Sequence, residues 1–306
     1  MHSVEKFGTT RHRIRINRVI LNYMFLLPAF IFIVFFLVYP MINTVILSMQ
    51  DITLINLKQP HHFVGFDNYI KLFSNPNFKG ALINSTIFTV VCVFFQFIIG
   101  FAFALIFNLK IAFRNILRAF ILLCWLLPMI ITGALFKWIF AGDFGILNHV
   151  LQLIGITDKN IFWLANTSTA LWVVIIANIW LGVPFAMIIL LGGLQSLPNE
   201  LYEAASIDGA GRIKRFFYIT LPLMRPTILI LLTLFIIYTF KVFELIYVMT
   251  GGGPGYATMV IPLLAYRIGF QEYQINQGMA LSTFMLILMM CIVALYNWFS
   301  RKESVL

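Results

Sequence analysis

Charge is what this sequence lacks. Only 10% of its 306 residues are Asp, Glu, Lys or Arg, while 61% are hydrophobic, and the mean hydropathy is +0.95. A soluble domain carries roughly 25% charged residues, so a globule of this size in water is excluded. Cysteine is also scarce. The three present, Cys92, Cys124 and Cys291, each lie inside an apolar run, with no close pair to suggest a disulfide or a thiolate metal site. They are expected to be buried small apolar residues. His61-His62 has no neighbouring Cys, His or acidic cluster, so no metal site is expected. Ser, His and Asp are scattered without a catalytic pattern, and no Gly-x-x-x-x-Gly-Lys-Ser/Thr loop occurs. The chain is therefore expected to hold no catalytic residue, no metal and no nucleotide.

Long apolar runs take the place of charge. About 20 apolar residues cross the hydrocarbon core as a helix, and six such runs are expected at 19–46, 81–107, 117–139, 169–194, 223–247 and 278–300. The runs are continuous rather than alternating, which disfavours a transmembrane barrel. The fold class is thus an all-α polytopic membrane protein. Arg11, Arg13, Arg15 and Arg18 before the first run resemble a signal peptide, but the run is long and no small-x-small site follows, so an uncleaved span is expected. The net charge of +10 fits positive-inside bias rather than nucleic-acid binding. Fourteen of the 21 basic residues fall on one side and seven on the other. The richer side holds Lys6 and the N-terminal arginines, Lys110, Arg114 and Arg118, the 195–226 loop, and Arg301-Lys302. Both termini are therefore expected to be cytoplasmic. The chain divides into a basic N-terminus (1–18), the first span with its outer loop (19–80), a core (81–300) containing the loop 195–226, and a tail (301–306).

That loop is a polar island between apolar runs. Ser196 or Asn199 is placed to cap a helix that opens near Pro198, with Glu200 and Glu203 where the helix dipole favours negative charge. Gly209 and Gly211 stop it. A helix of about ten residues is marginal alone and needs a partner. Leu201, Ala204, Ala205 and Asp208 share one face by i, i+3, i+4, i+7 spacing. After Gly211, the residues Ile213, Phe216, Phe217, Thr220 and Leu221 form a second stripe, with Arg212, Lys214 and Arg215 mostly off it. This reads as an amphipathic helix for the bilayer surface, leading through Pro222 and Pro226 into the fifth span. Pro28, Pro128, Pro184 and Pro262 are candidate kinks.

At this point the residues resemble a known family. Glu203-Ala204-Ala205, Asp208-Gly209-Ala210, Phe216, Ile219, Leu221-Pro222 and Pro226 are similar to the EAA loop of ABC-importer permeases. Trp180-Leu181-Gly182-Val183-Pro184-Phe185, Phe240-Lys241-Val242-Phe243-Glu244, Thr250-Gly251-Gly252-Gly253-Pro254-Gly255 and Val64-Gly65-Phe66-Asp67-Asn68-Tyr69 resemble the sugar-type branch. The resemblance implies a type I importer fold in a bacterial plasma or inner membrane. It implies a second permease subunit, two cytoplasmic ATPase subunits carrying ATP and Mg, and an extracytoplasmic solute-binding protein. It places Glu203 against a basic group of the ATPase, Ala204 and Ala205 in its groove, and Gly209 at the bend.

The carried solute is less legible. Trp138, Asn178, Trp180, Tyr238 and Tyr247 are candidates for a sugar path, because aromatic faces stack on sugars and amides bind hydroxyls; Trp and Tyr also anchor helices at interfaces. Lys241 and Glu244, three apart, are expected as helix neighbours near the outer end of the fifth span, as an ion pair or a solute contact. The glycine run at 251–255 reads as an outer turn. A secondary transporter driven by an ion gradient is the main rival, but inverted repeats and paired midplane carboxylates are not evident. A membrane-embedded enzyme would need a polar catalytic cluster at one depth.

Overall fold

The computed structural model describes residues 24–53, 55–56, 60–109 and 111–301; the basic N-terminus, Lys58, Lys110 and Lys302 lie outside them. Four continuous helices and two bent pairs are long and apolar enough to cross a membrane. In chain order the helices are α1 (Met24–Leu47), α2 (Asp67–Ser74), α3 (Pro76–Asn108), α4 (Arg114–Leu126), α5 (Met129–Ile139) and α6 (Ile146–Leu153). They continue with α7 (Ala170–Gln195), α8 (Asn199–Ile207), α9 (Arg212–Leu223), α10 (Arg225–Phe240), α11 (Glu244–Met249), α12 (Ile261–Tyr266) and α13 (Ile275–Arg301).

The six runs differ from expectation mainly in direction. α3 starts at Pro76 because the Asn75 side chain accepts the Asn77 N–H and proline suits the first helical turn. The third run is two helices, not one: α4 and α5 meet at 95°. Leu127, held extended (ψ 131°) by the following Pro128, makes the corner. The fifth run is interrupted twice. α9 joins α10 at 64°, and α10 ends at Phe240, so that Lys241–Phe243 separate it from α11. Lys241 and Glu244 therefore do not share a helix as their spacing suggested; the Lys241 ammonium lies over the Tyr238 ring, 4.6 Å from its centre. Pro184, by contrast, sits inside an unbroken α7.

α3 and α7 form the most extensive helix pair. Small residues let their backbones approach, the device that replaces hydrophobic driving force between helices in lipid. A Cβ on Gly100 would come within 2.3 Å of the Ala186 Cβ, and one on Gly182 within 2.3 Å of the Gln96 amide. The buried apolar side chains divide into two clusters along this pair. One runs from Leu171 to Ala177 of α7, with Phe88, Cys92, Leu245, Ile246 and Ile261. The other holds Ala186 to Leu194, with Phe101, Met224, Leu231 and Phe235. Cys92 is buried as expected, but Cys124 is half-buried and Cys291 exposed.

The Val64–Tyr69 segment has a structural task. Gly65 (φ +58°) turns the chain, and the buried Asn68 amide donates to the Ser48 and Gln50 carbonyls at 2.8 and 2.9 Å. Asn68 also accepts from Asn276 at 3.0 Å. Tyr69 shares a 2.6 Å hydrogen bond with Ser48. The end of α1, the start of α2 and the start of α13 are thus pinned together, while the rest of α1 projects its apolar side chains outward.

Candidate functional site

The Glu203–Pro222 island folds as two short helices on the flank of the bundle. α8 runs for nine residues, but its start is not capped by a side chain as expected: Pro198 precedes it and Asn199 is already helical. The Ser196 hydroxyl instead donates to the Gly193 carbonyl at the end of α7. The stop is fully formed. Gly209 has φ +75°; its N–H reaches the Ser206 carbonyl at 3.1 Å, and the Ala210 N–H reaches that of Ala205 at 2.9 Å. These two bonds are the Schellman arrangement, which needs a left-handed residue at the turn. Ala205 and Ala210 are half-buried where this turn folds back, and Tyr202 turns inward to share a 2.8 Å bond with Thr220 of α9.

The expected face of α8 is thereby split. Ala205 turns toward the protein, while Leu201, Glu203, Ala204, Ile207 and Asp208 point away from it. Ile207 is 88% exposed, and Ile213 and Tyr218 on α9 are 76% and 80% exposed. A half-buried hollow of about 350 Å³ beside them is lined by Ala210, Lys214, Arg215, Tyr218 and Ile219. The α9 stripe is also divided. A widened, π-helical turn at Phe216–Thr220 rotates Phe216, Thr220 and Leu221 inward, with Phe216 5.7 Å from the Phe101 ring. Ile213 and Phe217 stay outside. Leu221 and Pro222 close α9 just before its bend into α10.

The second element of the site is a cavity of about 470 Å³ at the junction of the two apolar clusters. α7 contributes Asn178, Leu181, Gly182 and Phe185; α10 and the break after it contribute Phe235, Tyr238, Thr239 and Val242; α3 contributes Gln96. The α4–α5 corner supplies Trp125, Leu127, Pro128 and Met129. The break at Pro128 thus makes a wall. Trp125 and Phe185 stack at 5.4 Å and 28°, giving an aromatic surface. Gln96 is 3% exposed; its amide donates to the Asn178 carbonyl at 2.8 Å over Gly182, and its buried Oε1 accepts no hydrogen bond from the described residues. No charged side chain lines this cavity.

Of the sequence-derived path residues, the cavity gathers Asn178 and Tyr238 and no others. Trp138, 53% exposed, borders a separate hollow with Lys137 and Phe162. Trp180 lies against Phe136 at 5.5 Å. Glu244 and Tyr247 are exposed on α11, beyond the end of α10. Sequence reasoning missed Gln96, Trp125, Phe185, Phe235 and Thr239. For Gln96 a signal existed: one amide in the middle of a 33-residue apolar helix is a functional candidate in itself. The glycine turn is held from inside, with the Asn84 amide donating to the Tyr256 and Met259 carbonyls at 3.1 and 3.0 Å. Among the described residues, no group of three His, Cys, Asp or Glu is placed to hold a metal.

Known proteins share this arrangement. The family described as binding-protein-dependent transport system inner membrane component matches residues 96–304. The trehalose/maltose transport system permease protein MalF of Thermococcus litoralis is 38% identical over 279 residues, covering 90% of this chain and 92% of that protein. A bacterial ABC transporter involved in the import of the acidic polysaccharide alginate contains a chain with a TM-score of 0.81 and 29% identity, covering 95% of this chain and 99% of that one. The alginate transporter in complex with an alginate pentasaccharide-bound periplasmic protein gives a TM-score of 0.81 at 27% identity, covering 95% and 97%. The helical architecture, the exposed α8–α9 pair and these relatives agree: the chain is a multi-pass permease that belongs to the binding-protein-dependent transport system inner membrane components of ABC importers.

Proposed function

We propose that this chain is one of two permease subunits of an ATP-driven importer for a sugar or sugar derivative. The observation that carries the reading is a continuous connection. α8 exposes Glu203, Ala204, Ile207 and Asp208 to a partner, is tied to α9 by Tyr202 and Thr220, and α9 leads directly into α10, whose far end lines the cavity with Tyr238 and Thr239. Exposed apolar side chains beside carboxylates on a helix too short to stand alone suit a groove in a soluble protein with a basic group for Glu203. Membership of the ABC importers supports an ATPase as that protein, one that binds ATP and Mg, and in this reading two copies of it sit below a heterodimeric permease pair. The alginate transporter, solved in complex with a pentasaccharide-bound periplasmic protein, supports a periplasmic binding protein as the source of solute. The basic residues on the α8–α9 side support a cytoplasmic position for that loop and for both termini.

The solute reading rests on the cavity. A neutral lining with one aromatic surface, two amides, a phenol and a threonine hydroxyl matches the mixed faces of a sugar: apolar C–H on one side, hydroxyls at the rim. Trehalose and maltose, which name the transport system of the Thermococcus litoralis relative, are of this class. ATP binding draws the α8 helices of the two permeases together, and α9 and α10 carry that motion to the cavity walls. Hydrolysis restores the inward-facing state.

Uptake of a radiolabelled sugar panel by membrane vesicles holding the whole complex tests this. Glu203→Lys and Gly209→Pro are expected to abolish uptake while membrane insertion and expression stay at wild-type level. Unchanged uptake in both variants overturns the coupling role. Uptake that follows an imposed ion gradient without ATP favours the secondary-transporter rival.

A further inference from the structure

We propose that Phe243, Tyr247, Tyr266 and Phe270 form a second carbohydrate site, an aromatic ladder that takes the rings of an oligosaccharide beside the cavity. The inference rests on the reading of the cavity as a sugar path. The four rings are contiguous although they come from two parts of the chain. Phe243 and Tyr247 stack at 5.3 Å and 17°. Tyr266 lies 5.1 Å from Phe243 and 5.7 Å from Tyr247. Phe270 extends the series at 5.6 Å from Tyr266.

Two features separate the ladder from ordinary core packing. Its outer rungs are open, with Tyr247 43% and Phe270 66% exposed. Its edges are polar: Glu244 and Gln271 are exposed beside it, and Arg267 pairs with Glu272 at 3.3 Å while its guanidinium covers the Tyr256 ring at 4.6 Å. Acyl chains are poor company for such groups. A sugar ring is suited to both features. Its axial C–H face meets the negative face of an aromatic ring, and its rim hydroxyls need the carboxylate, amide and phenol partners found here.

Position gives the ladder its role. Val242 lines the cavity, and Phe243 is the next residue. The 16 residues of α10 rise about 24 Å, so the ladder stands at the opposite end of that helix from α8 and α9. A sugar chain lying on it is one residue from the cavity wall and on the side away from the coupling helix. Phe243, Tyr247 and Tyr266 are mutually in contact and Phe270 extends them through Tyr266; the two open rings, Tyr247 and Phe270, offer separate faces to more than one sugar ring, so the ligand class is an oligosaccharide.

Saturation-transfer NMR on the intact complex in detergent, without binding protein, tests the site with three probes: maltoheptaose, chitopentaose and an alginate pentasaccharide. Wild type is expected to transfer saturation to at least one of them. Tyr247→Ala with Phe270→Ala is expected to weaken that probe's affinity about tenfold, the scale of two lost ring contacts. Tyr247→Phe with Phe270→Trp restores it, and Gln96→Leu in the cavity leaves transfer to the ladder in place. No transfer from wild type to any probe overturns the site. So does a signal that only Gln96→Leu removes, an outcome that leaves the cavity reading standing. Loss of the second permease from the purified double-alanine complex assigns these rings to a subunit interface and also overturns the site.

Discussion

Gln96 shows how much one polar group matters in an apolar helix. Its amide N–H is engaged by the Asn178 carbonyl, and its Oε1 is buried with no hydrogen-bond partner among the described residues. Gln96→Leu keeps the volume and removes the bond that holds the Asn178 carbonyl beside the cavity, about 1 kcal/mol, so the KM for uptake is expected to rise about fivefold, with complex assembly unchanged. Gly182→Ala tests the same contact from the other side, since its Cβ would displace the Gln96 amide; reduced uptake is expected in the vesicle assay. Asn68 acts on stability instead. Asn68→Ala strands the buried Ser48 carbonyl and the half-buried Gln50 carbonyl and Asn276 amide, a loss of roughly 2–3 kcal/mol, expected as a lowered unfolding midpoint in detergent. Asn178 and Tyr238, singled out in the sequence by residue type, both line the cavity. Trp138 and Trp180 share those residue types, yet face elsewhere, because residue type alone does not fix which side of a helix is turned inward.

Elements were legible where local chemistry sets them. The extent of α8 and its stop at Gly209 follow from the residues themselves, since only a left-handed turn closes both terminal hydrogen bonds. Gly209→Ala forces a side chain into that conformation at about 1–2 kcal/mol; uptake is expected to fall less than in Gly209→Pro, which also removes the N–H that bonds Ser206. Direction was not legible. Hydropathy counts apolar residues and is blind to a 95° corner, so the third run read as one helix although Leu127-Pro128 breaks it. The fifth run read as continuous past Lys241 for the same reason. The pairing of α3 with α7 could be guessed only from small residues. Gly100→Val drives a side chain into the α7 backbone, an overpacking of about 1–3 kcal/mol. Lower thermal stability is expected, measured by the temperature at which the detergent-solubilised protein aggregates.

At the scale of the whole molecule, two outward surfaces among the described residues bear on assembly. One is α8 with α9; the other is the first part of α1, whose side chains from Met24 to Leu37 are outward and apolar. Only the end of α1 is pinned, through Ser48, Asn68 and Tyr69. Fold class and family were legible from composition and from the EAA residues, because membrane solubility and a docking loop leave compositional traces. Subunit number leaves none. Affinity purification on this chain is expected to recover a different permease in equal amount and an ATPase in twofold excess, by quantitative mass spectrometry of the intact complex.

The bend between α9 and α10 has a mechanical consequence. Because α8 is tied to α9, and α9 runs into α10 at 64°, a push across the bilayer plane at α8 is received as a tilt of α10. Over a rise of about 24 Å, a tilt of about 5° displaces the far end by about 2 Å, most of a hydrogen-bond length. Tyr238 and Thr239 ride on that end, and Lys241–Phe243 separate it from α11. Under the proposed coupling, the lever has its fulcrum at the bend and its long arm at the cavity, so a small displacement of α8 is enough to make or unmake the hydrogen bonds that the end of α10 offers there.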